Sequence, residues 1–218
     1  MLQPHLMTLS LKRYADLRKT GDTKRLCEQL CNLPCPEEVR VGLTNLPVPK
    51  TLQEFRSKLC WGQRLFMAMP HNDDLETVLY FFCSYFAPIY FKEPYSDALA
   101  TRMFWKVKTS HVTEVYPVMN RLVGFFEELI LIERDRLDCP PDKTMLAAGI
   151  DKLKPYTDWS VIELIAEKAR LVDIERNVMQ VSYDTAITIL GNEKEKAEFQ
   201  KRYMKILGDM NRAKNRVK

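Results

Sequence analysis

The run TEVYPVMNRLVGFFEELILIERDRL, residues 113–137, decides the fold class of this chain. Its apolar residues recur three or four positions apart, which is the period of a helix with one buried face. That face would present Val118, Leu122, Phe125, Phe126, Leu129 and Ile132. Pro117 falls in the first turn, where its missing N–H removes no intrahelical bond. We therefore predict one long helix that begins at Thr113-Glu114 and ends near Leu137.

Helical periodicity also covers the chain upstream of this run. Short helices are predicted over 10–19 and 23–32. Thr51 opens a helix that Pro70 ends, and Asn72-Asp73-Asp74 caps the most apolar segment, Leu75 to Phe91. Pro88 and Pro94 should bracket a connector, after which Ser96-Asp97 caps another helix.

The segment Asp138-Cys139-Pro140-Pro141-Asp142 is the strongest boundary signal in the chain. It predicts an N-terminal helical region over 1–137, a linker over 138–143 and a C-terminal helical region over 144–218. The C-terminal region should hold helices over 144–153, 158–169 and 173–190. Gly191-Asn192 should end the third, and a charged helix from Glu193 should follow.

One segment, Glu38 to Pro49, departs from the helical period. Val39, Val41 and Leu43 alternate with Arg40, Gly42 and Thr44, which is the period of an edge strand. Pro47 and Pro49 exclude it from the centre of a sheet. The segment is predicted either to pair with another subunit or partner, or to be an extended linker.

The fold class that follows is all-α, a multi-helix bundle with at most one short extended segment near residues 38–49. Seven glycines in 218 residues are few for an all-β protein with many tight turns. No segment reaches the roughly 20 apolar residues that span a bilayer, and the N-terminus lacks the features of a signal peptide. We therefore expect a cytoplasmic protein that does not bind membranes.

Candidate metal-ligating and catalytic residues form no recognisable motif. Cys27, Cys31 and Cys35 recur every four residues, but zinc sites need a fourth ligand, and only His5 is available. The other histidines, His71 and His111, match no ligand or triad spacing. We predict buried thiols, no metal, no cofactor and no catalytic residues, so that the protein is not an enzyme.

Two surface features indicate binding instead. Leu75 to Phe91 and its surroundings hold more aromatic residues than one helix face needs, and aromatic residues are enriched at protein interfaces. The residues predicted for such an interface are Tyr85, Phe86, Tyr90 and Phe91, and the alternative is that every aromatic ring of this segment lies in the core. The helical pair over 159–190 could alternatively be a DNA-binding helix-turn-helix, but two acids in the first turn of its recognition helix would face phosphates.

The C-terminal tail is the basic part of the chain. Residues 193–218 hold nine Lys/Arg against four Asp/Glu, so the rest of the chain is close to neutral within the net charge of +4. Contact with nucleic acid or an acidic partner would use Arg212, Lys214, Arg216 and Lys218. A solubilising end without a partner is the alternative explanation.

Two stretches carry a resemblance to a known class of proteins. The first is Val39-Arg40-Val41-Gly42-Leu43 through Leu46-Pro47, followed by Trp61-Gly62-Gln63. The second comprises 162–168, Asn177-Val178, Ser182-Tyr183 and 199–203. Together they resemble small helical virion and tail-assembly proteins of tailed bacteriophages that infect gut bacteria. Lys58-Leu59-Cys60-Trp61-Gly62-Gln63 departs from the Leu-Thr-x-Gly-Gln run usual in that class.

The resemblance implies an assembly or structural protein, located in the host cytoplasm or the virion, whose partners are other phage structural proteins or further copies of itself. It supplies no catalytic residue. From sequence we therefore expect a non-enzymatic protein that acts through protein–protein contacts. The alternative is a nucleic-acid-associated helical factor that uses the basic tail, although nucleic acid is not the expected partner.

Overall fold

The computed structural model describes residues 11, 29–67, 75–138, 157–171 and 174–216, and it gives side chains for these except at 66, 75–77, 157–159, 174–176 and 213–216. The chain is mostly helical with one small antiparallel sheet, which confirms the predicted fold class. The described strands are β1 (Glu38–Val41) and β2 (Thr44–Pro47). The described helices are α1 (Leu52–Ser57), α2 (Trp61–Met67), α3 (Leu75–Phe91), α4 (Asp97–Val107), α5 (Val112–Leu137), α6 (Thr157–Ala169), α7 (Ile174–Gln180) and α8 (Tyr183–Arg216).

The chain divides into two compact units. Unit 1 comprises Met1–Leu131 and Met179–Tyr183, and unit 2 comprises Ile132–Val178 and Asp184–Lys218. The predicted helix over 10–19 apart from Leu11, the predicted helix over 144–153, the Asn72 cap and all of the linker except Asp138 lie outside the described residues. The predicted domain limits therefore stay a prediction.

The extended segment is a hairpin that contains its own partner strand. Val39 pairs with Leu46 and Val41 with Thr44. The segment is therefore extended as predicted, but it pairs with itself, and neither of the predicted alternatives, pairing with another chain or an extended linker, was correct. The alternation of apolar residues indicated one continuous strand because it runs on through the turn of the hairpin. Gly42 has φ +61°, and Leu43, at the tip of the turn, is 94% exposed. A positive φ at the first of two turn residues suits the twist of a tight hairpin and favours glycine there.

The helix predicted from Thr51 is two helices. Thr51 caps α1 as predicted, with its hydroxyl accepting a bond from the Glu54 amide at 3.2 Å. The chain then leaves the helical path, because the backbone around Cys60 pairs with the backbone around Ser182 instead. The Trp61 amide donates to the Val181 carbonyl at 2.8 Å, and the Tyr183 amide donates to the Leu59 carbonyl at 2.9 Å.

Helix α3 continues through Pro88 to Phe91, so the predicted connector at Pro88 was wrong. A proline inside a helix leaves the carbonyl four residues before it without its usual donor, and here that carbonyl belongs to Ser84. The buried side chain of Gln63 supplies the donor: its Nε2 lies 2.6 Å from the Ser84 carbonyl oxygen, and its Oε1 accepts from the Cys60 amide at 2.8 Å. One glutamine thus satisfies the break in α3 and holds α2 against it.

Residues 179–183 form a strap on unit 1. Besides the two backbone bonds at Cys60, the Gln180 amide group bonds both ways with the backbone of Tyr95, donating to its carbonyl at 2.6 Å and accepting from its N–H at 3.2 Å. The strap lies close to Gly62, where an added Cβ would sit 3.0 Å from the Cβ of Met179. The strap therefore depends on a residue without a side chain at position 62.

The core of unit 1 is built around α3, which packs most extensively on α4 and also contacts α2 and β2. Ser96 caps α4 as predicted, accepting a bond from the Leu99 amide. Aromatic rings fill the interior, with Phe55 stacked on Tyr85 at a centroid distance of 4.9 Å and Phe81 edge-on to Phe126 at 5.2 Å. Such pairs add to the stabilisation that burial of their area provides.

Within unit 2, α8 passes through Gly191 without ending, which corrects the predicted helix stop at Gly191-Asn192. Gly191 instead allows the Arg136 side chain to approach, since an added Cβ would lie 3.0 Å from Arg136 Nε. Lys194 Nζ donates to the carbonyls of Arg136 and Asp138, at 3.1 and 2.9 Å, and so caps the end of α5. α5 ends at Leu137 as predicted, but Ile132, assigned to its inner face, is 40% exposed.

Candidate functional site

The four aromatic residues predicted as an interface are not equivalent in the structure. Tyr85 and Phe86 are 1% and 0% exposed and belong to the core of unit 1. Both lie on the side of α3 that faces its neighbours, so neither offers surface to a partner in this structure. Tyr90 and Phe91, at the end of α3, are half-buried.

Cations from α4 lie over the rings at the end of α3. Arg102 sits 4.3 Å from the centroid of Phe91, and Lys106 sits 5.7 Å from that of Tyr90. These distances are within the range of attractive cation–π contacts. Side chains of the same chain therefore cover part of the Tyr90 and Phe91 ring faces. These two residues offer a partner less surface than the sequence predicts.

The basic tail is helical as far as the structure describes it. α8 extends to Arg216, so Arg212, Lys214 and Arg216 all lie on helical backbone, while Lys218 lies outside the described residues. The Arg212 side chain is 83% exposed, and its nearest carboxylate, Asp209, is 4.0 Å away. An ion pair this long and this exposed contributes little to stability, so the guanidinium is accessible to another molecule.

The same helix carries an apolar surface that sequence reasoning missed. Phe199, Tyr203, Ile206 and Met210 are 62%, 52%, 57% and 52% exposed, and we call these four residues the α8 stripe. They are spaced by four, three and four residues, so they lie on one face of the helix. This helical spacing is visible in the sequence. The charged residues between the apolar ones led us to interpret the segment as a basic tail instead.

Most of α8 beyond Glu193 is open to solvent. Between 195 and 212 every residue is exposed except Leu207, which is half-buried. A helix exposed over this length gains little from tertiary packing, from which most helical stability in proteins comes. Single exposed apolar residues are ordinary, whereas a contiguous apolar row marks an interaction site.

A shallow depression of about 470 Å³ lies at the beginning of this exposed part. Its described lining consists of Asn192, Glu195, Lys196, Phe199 and Gln200, all of them on α8. Small-molecule sites of this volume are concave, mostly apolar and enclosed by several elements. The described lining has instead the character of a helix surface with Phe199 at its edge.

The residues considered for metal binding or nucleophilic chemistry are not brought together where the structure describes them. Cys31 is exposed, with its Sγ 3.7 Å from the Tyr116 hydroxyl, and Cys35 is half-buried, where burial raises the pKa of its thiol. Cys27, His5 and His71 lie outside the described residues, and within the described part no three potential ligands cluster. Burial also raises the pKa of the Cys60 and Cys83 thiols, which disfavours the thiolate form that a nucleophile or ligand needs.

Among the helices of the described residues, none is both long and apolar enough to cross a membrane. Compared with known protein families, curated proteins and solved structures, the chain matches none.

Proposed function

We propose that this chain is a non-enzymatic assembly or structural protein that binds a protein partner through the α8 stripe. The observation that carries the proposal is the exposure of four large apolar side chains, each more than half exposed, on one face of a helix that is itself exposed. Water is a poor environment for such a row, and a partner that covers it would bring a favourable free energy of association.

The spacing of the stripe indicates the kind of partner surface. Helices that dock on another helix or in an apolar groove place their anchors at positions i, i+3 or i+4, and i+7. Phe199, Tyr203, Ile206 and Met210 follow this pattern over three turns of α8. An apolar helical surface on the partner fits the stripe, and a flat polar surface does not.

A phage virion or tail-assembly component is the specific form of this proposal. It rests on the resemblance of 39–47, 61–63, 162–168, 177–178, 182–183 and 199–203 to such proteins. Two residues of the stripe, Phe199 and Tyr203, belong to the last of these stretches. In this form of the proposal, the partner is another structural protein of the particle or a further copy of this chain, in the virion or the host cytoplasm.

Methionine oxidation can test the proposal, because α8 carries both a probe and its control. Met210 lies on the stripe and Met204 lies off it, and they are similarly exposed, at 52% and 65%. We expect brief peroxide treatment in a nuclease-treated native extract to oxidise Met204 as in the dilute purified chain. Met210 should be oxidised at least several-fold more slowly in the extract, because a partner protein covers it. Equal oxidation of Met210 in both conditions would refute the proposal.

The second candidate is a nucleic-acid-associated factor. It is supported by the exposure of Arg212 on a helix whose last residues include Lys214 and Arg216. Such binding would weaken steeply with salt because phosphate contacts release counterions. Under this alternative, protection of α8 in the extract would disappear on nuclease treatment, and removal of residues 210–218 would abolish binding to a DNA or RNA fragment.

A further inference from the structure

We infer that the α8 stripe pairs with the same stripe of a second copy of this chain, in an antiparallel helix pair. This inference rests on the proposed function, since it names the partner of the same surface. Three observations carry it: the spacing of the stripe, the distribution of charge along α8, and the area that the stripe exposes.

The spacing is that of a coiled-coil seam. Intervals of four, three and four residues place Phe199 and Ile206 at d positions and Tyr203 and Met210 at a positions of a heptad repeat. This 3.5-residue period keeps a narrow stripe facing one partner helix along its length. Antiparallel pairing of two copies sets Phe199 opposite Met210 of the other copy, and Tyr203 opposite Ile206 of the other copy, so each layer joins an aromatic ring to an aliphatic side chain.

The charges that flank the seam favour the antiparallel direction. In an antiparallel pair, g positions face g positions, which brings Arg202 opposite Asp209 of the other copy. Symmetry repeats this contact, so two opposite-charge pairs form between described side chains. In a parallel pair, g positions face e positions five residues further on, where Arg202 would meet Leu207 and Glu195 would meet Gln200, so neither gains an opposite charge.

The overall charge gradient of the helix agrees with this direction. Residues 193–198 contain three glutamates and two lysines, a net charge of −1, whereas residues 212–216 contain three Lys/Arg and no acid. An antiparallel pair sets the acidic beginning of each helix beside the basic end of the other, and a parallel pair would align the two basic ends. The dipoles of the two helices also attract each other only in the antiparallel arrangement, in which they point in opposite directions.

The exposed area fits a weak dimer. The four stripe residues expose 52–62% of their surface. With about 200 Å² for each large side chain, two copies would together bury roughly 800–900 Å² of stripe surface, below the size of standard interfaces. We therefore expect a dissociation constant on the order of 1–100 µM and a monomer on strong dilution.

Charge exchange across the seam tests the inference with the full chain. Arg202 and Asp209 are seven residues apart on one helix, too far for a side-chain contact within the copy. We expect sedimentation equilibrium to show a monomer–dimer equilibrium for the unaltered chain. Arg202→Glu and Asp209→Arg should each weaken it roughly tenfold, because two attractive pairs become repulsive. The double variant should restore the dimer, because it re-forms both pairs with exchanged signs.

A matched control and the opposing outcomes complete the experiment. Lys201→Glu reverses a charge on the opposite face of α8 and should leave the dissociation constant unchanged. A chain that stays monomeric throughout the concentration range, or a double variant weaker than both single variants, would overturn the inference. If such a chain nevertheless shows protection of Met210 in the nuclease-treated extract, the proposed function stands with a different protein as partner. If Met210 is protected from oxidation only when anionic lipid vesicles are added, a membrane surface covers the stripe and both proposals fail.

Discussion

Replacing Gln63 by leucine should destabilise unit 1 by an amount that depends on Pro88. Gln63 is 1% exposed and makes two short hydrogen bonds, from Nε2 to the Ser84 carbonyl at 2.6 Å and from the Cys60 amide to Oε1 at 2.8 Å. Leucine has a similar volume but neither donor nor acceptor. A buried group left without its partner costs about 1–3 kcal/mol, so two such groups, one of them only part-buried, should cost about 2–4 kcal/mol together.

The dependence on Pro88 gives the argument its specific test. Pro88→Ala restores an N–H that can bond to the Ser84 carbonyl along the helix, so this carbonyl no longer relies on Gln63. In the Pro88→Ala background the cost of Gln63→Leu should fall by about 1–2 kcal/mol, leaving mainly the unpaired Cys60 amide. This coupling is the free energy that the double-mutant cycle measures.

Urea unfolding is the appropriate assay, followed by tryptophan fluorescence and helical circular dichroism, with linear extrapolation to water. Trp61 is 5% exposed and lies two residues before Gln63, so it reports on this part of unit 1. Gln53→Leu, at an exposed position of α1, serves as the matched control and should change stability little. An equal cost of Gln63→Leu in both backgrounds would refute the role assigned to the proline.

Further predictions concern the glycines and the cysteines. Gly62→Ala should lower the free energy of unfolding by about 1–3 kcal/mol in the same urea assay, because its Cβ would meet both the Cβ and the carbonyl oxygen of Met179 at 3.0 Å. Gly124→Ala should instead stabilise by about 0.5–1 kcal/mol, because an added Cβ would meet no described atom within 4 Å outside the local helix backbone. A loss of stability there would contradict the helical environment described. Cys31 is exposed and should react with a thiol reagent at once. Cys83 is buried, and burial raises the pKa of its thiol, so it should react only as the protein unfolds. Mass spectrometry of labelled peptides measures both rates, and equal rates would contradict this prediction.

Much of the fold could be predicted from local sequence signals. Thr51 and Ser96 begin helices because each hydroxyl accepts from an amide three residues on, and this chemistry needs no tertiary context. The end of α5 at Leu137 likewise follows from the periodic run that stops there. The position and the type of these elements can therefore be predicted from residues that lie a few positions apart in the sequence.

The errors arose where a distant residue decides the local conformation. Pro88 does not end α3 because a side chain 25 residues earlier supplies the donor for Ser84. The helix from Thr51 breaks because the backbone at Cys60 pairs with Ser182, which no pattern near either residue reveals. Gly191 does not end α8, and its lack of a side chain makes room for Arg136 from another helix instead.

The candidate surface was missed for a different reason. Tyr85 and Phe86 were assigned to an interface from the density of aromatic residues, but composition does not distinguish a crowded core from a surface. The segment that carries the α8 stripe is less apolar in composition than α3. The stripe indicates a binding surface only because its side chains are exposed, and the spacing of residues does not reveal exposure. The structure adds the fact that nothing in the described chain covers Phe199 or Ile206.

The strap has a consequence for how the protein is made on the ribosome. Cys60 and its partner Ser182 are separated by 122 residues along the chain. At about 5–20 residues per second, the ribosome delivers Ser182 roughly 6–24 s after Cys60. Throughout that interval the backbone groups of Leu59, Trp61 and Tyr95 that the strap later occupies must remain hydrated or be held by a chaperone. Folding of unit 1 is therefore completed only after Tyr183 has been synthesised, and a nascent chain that lacks residues 179–183 would expose unpaired backbone groups at Leu59 and Trp61.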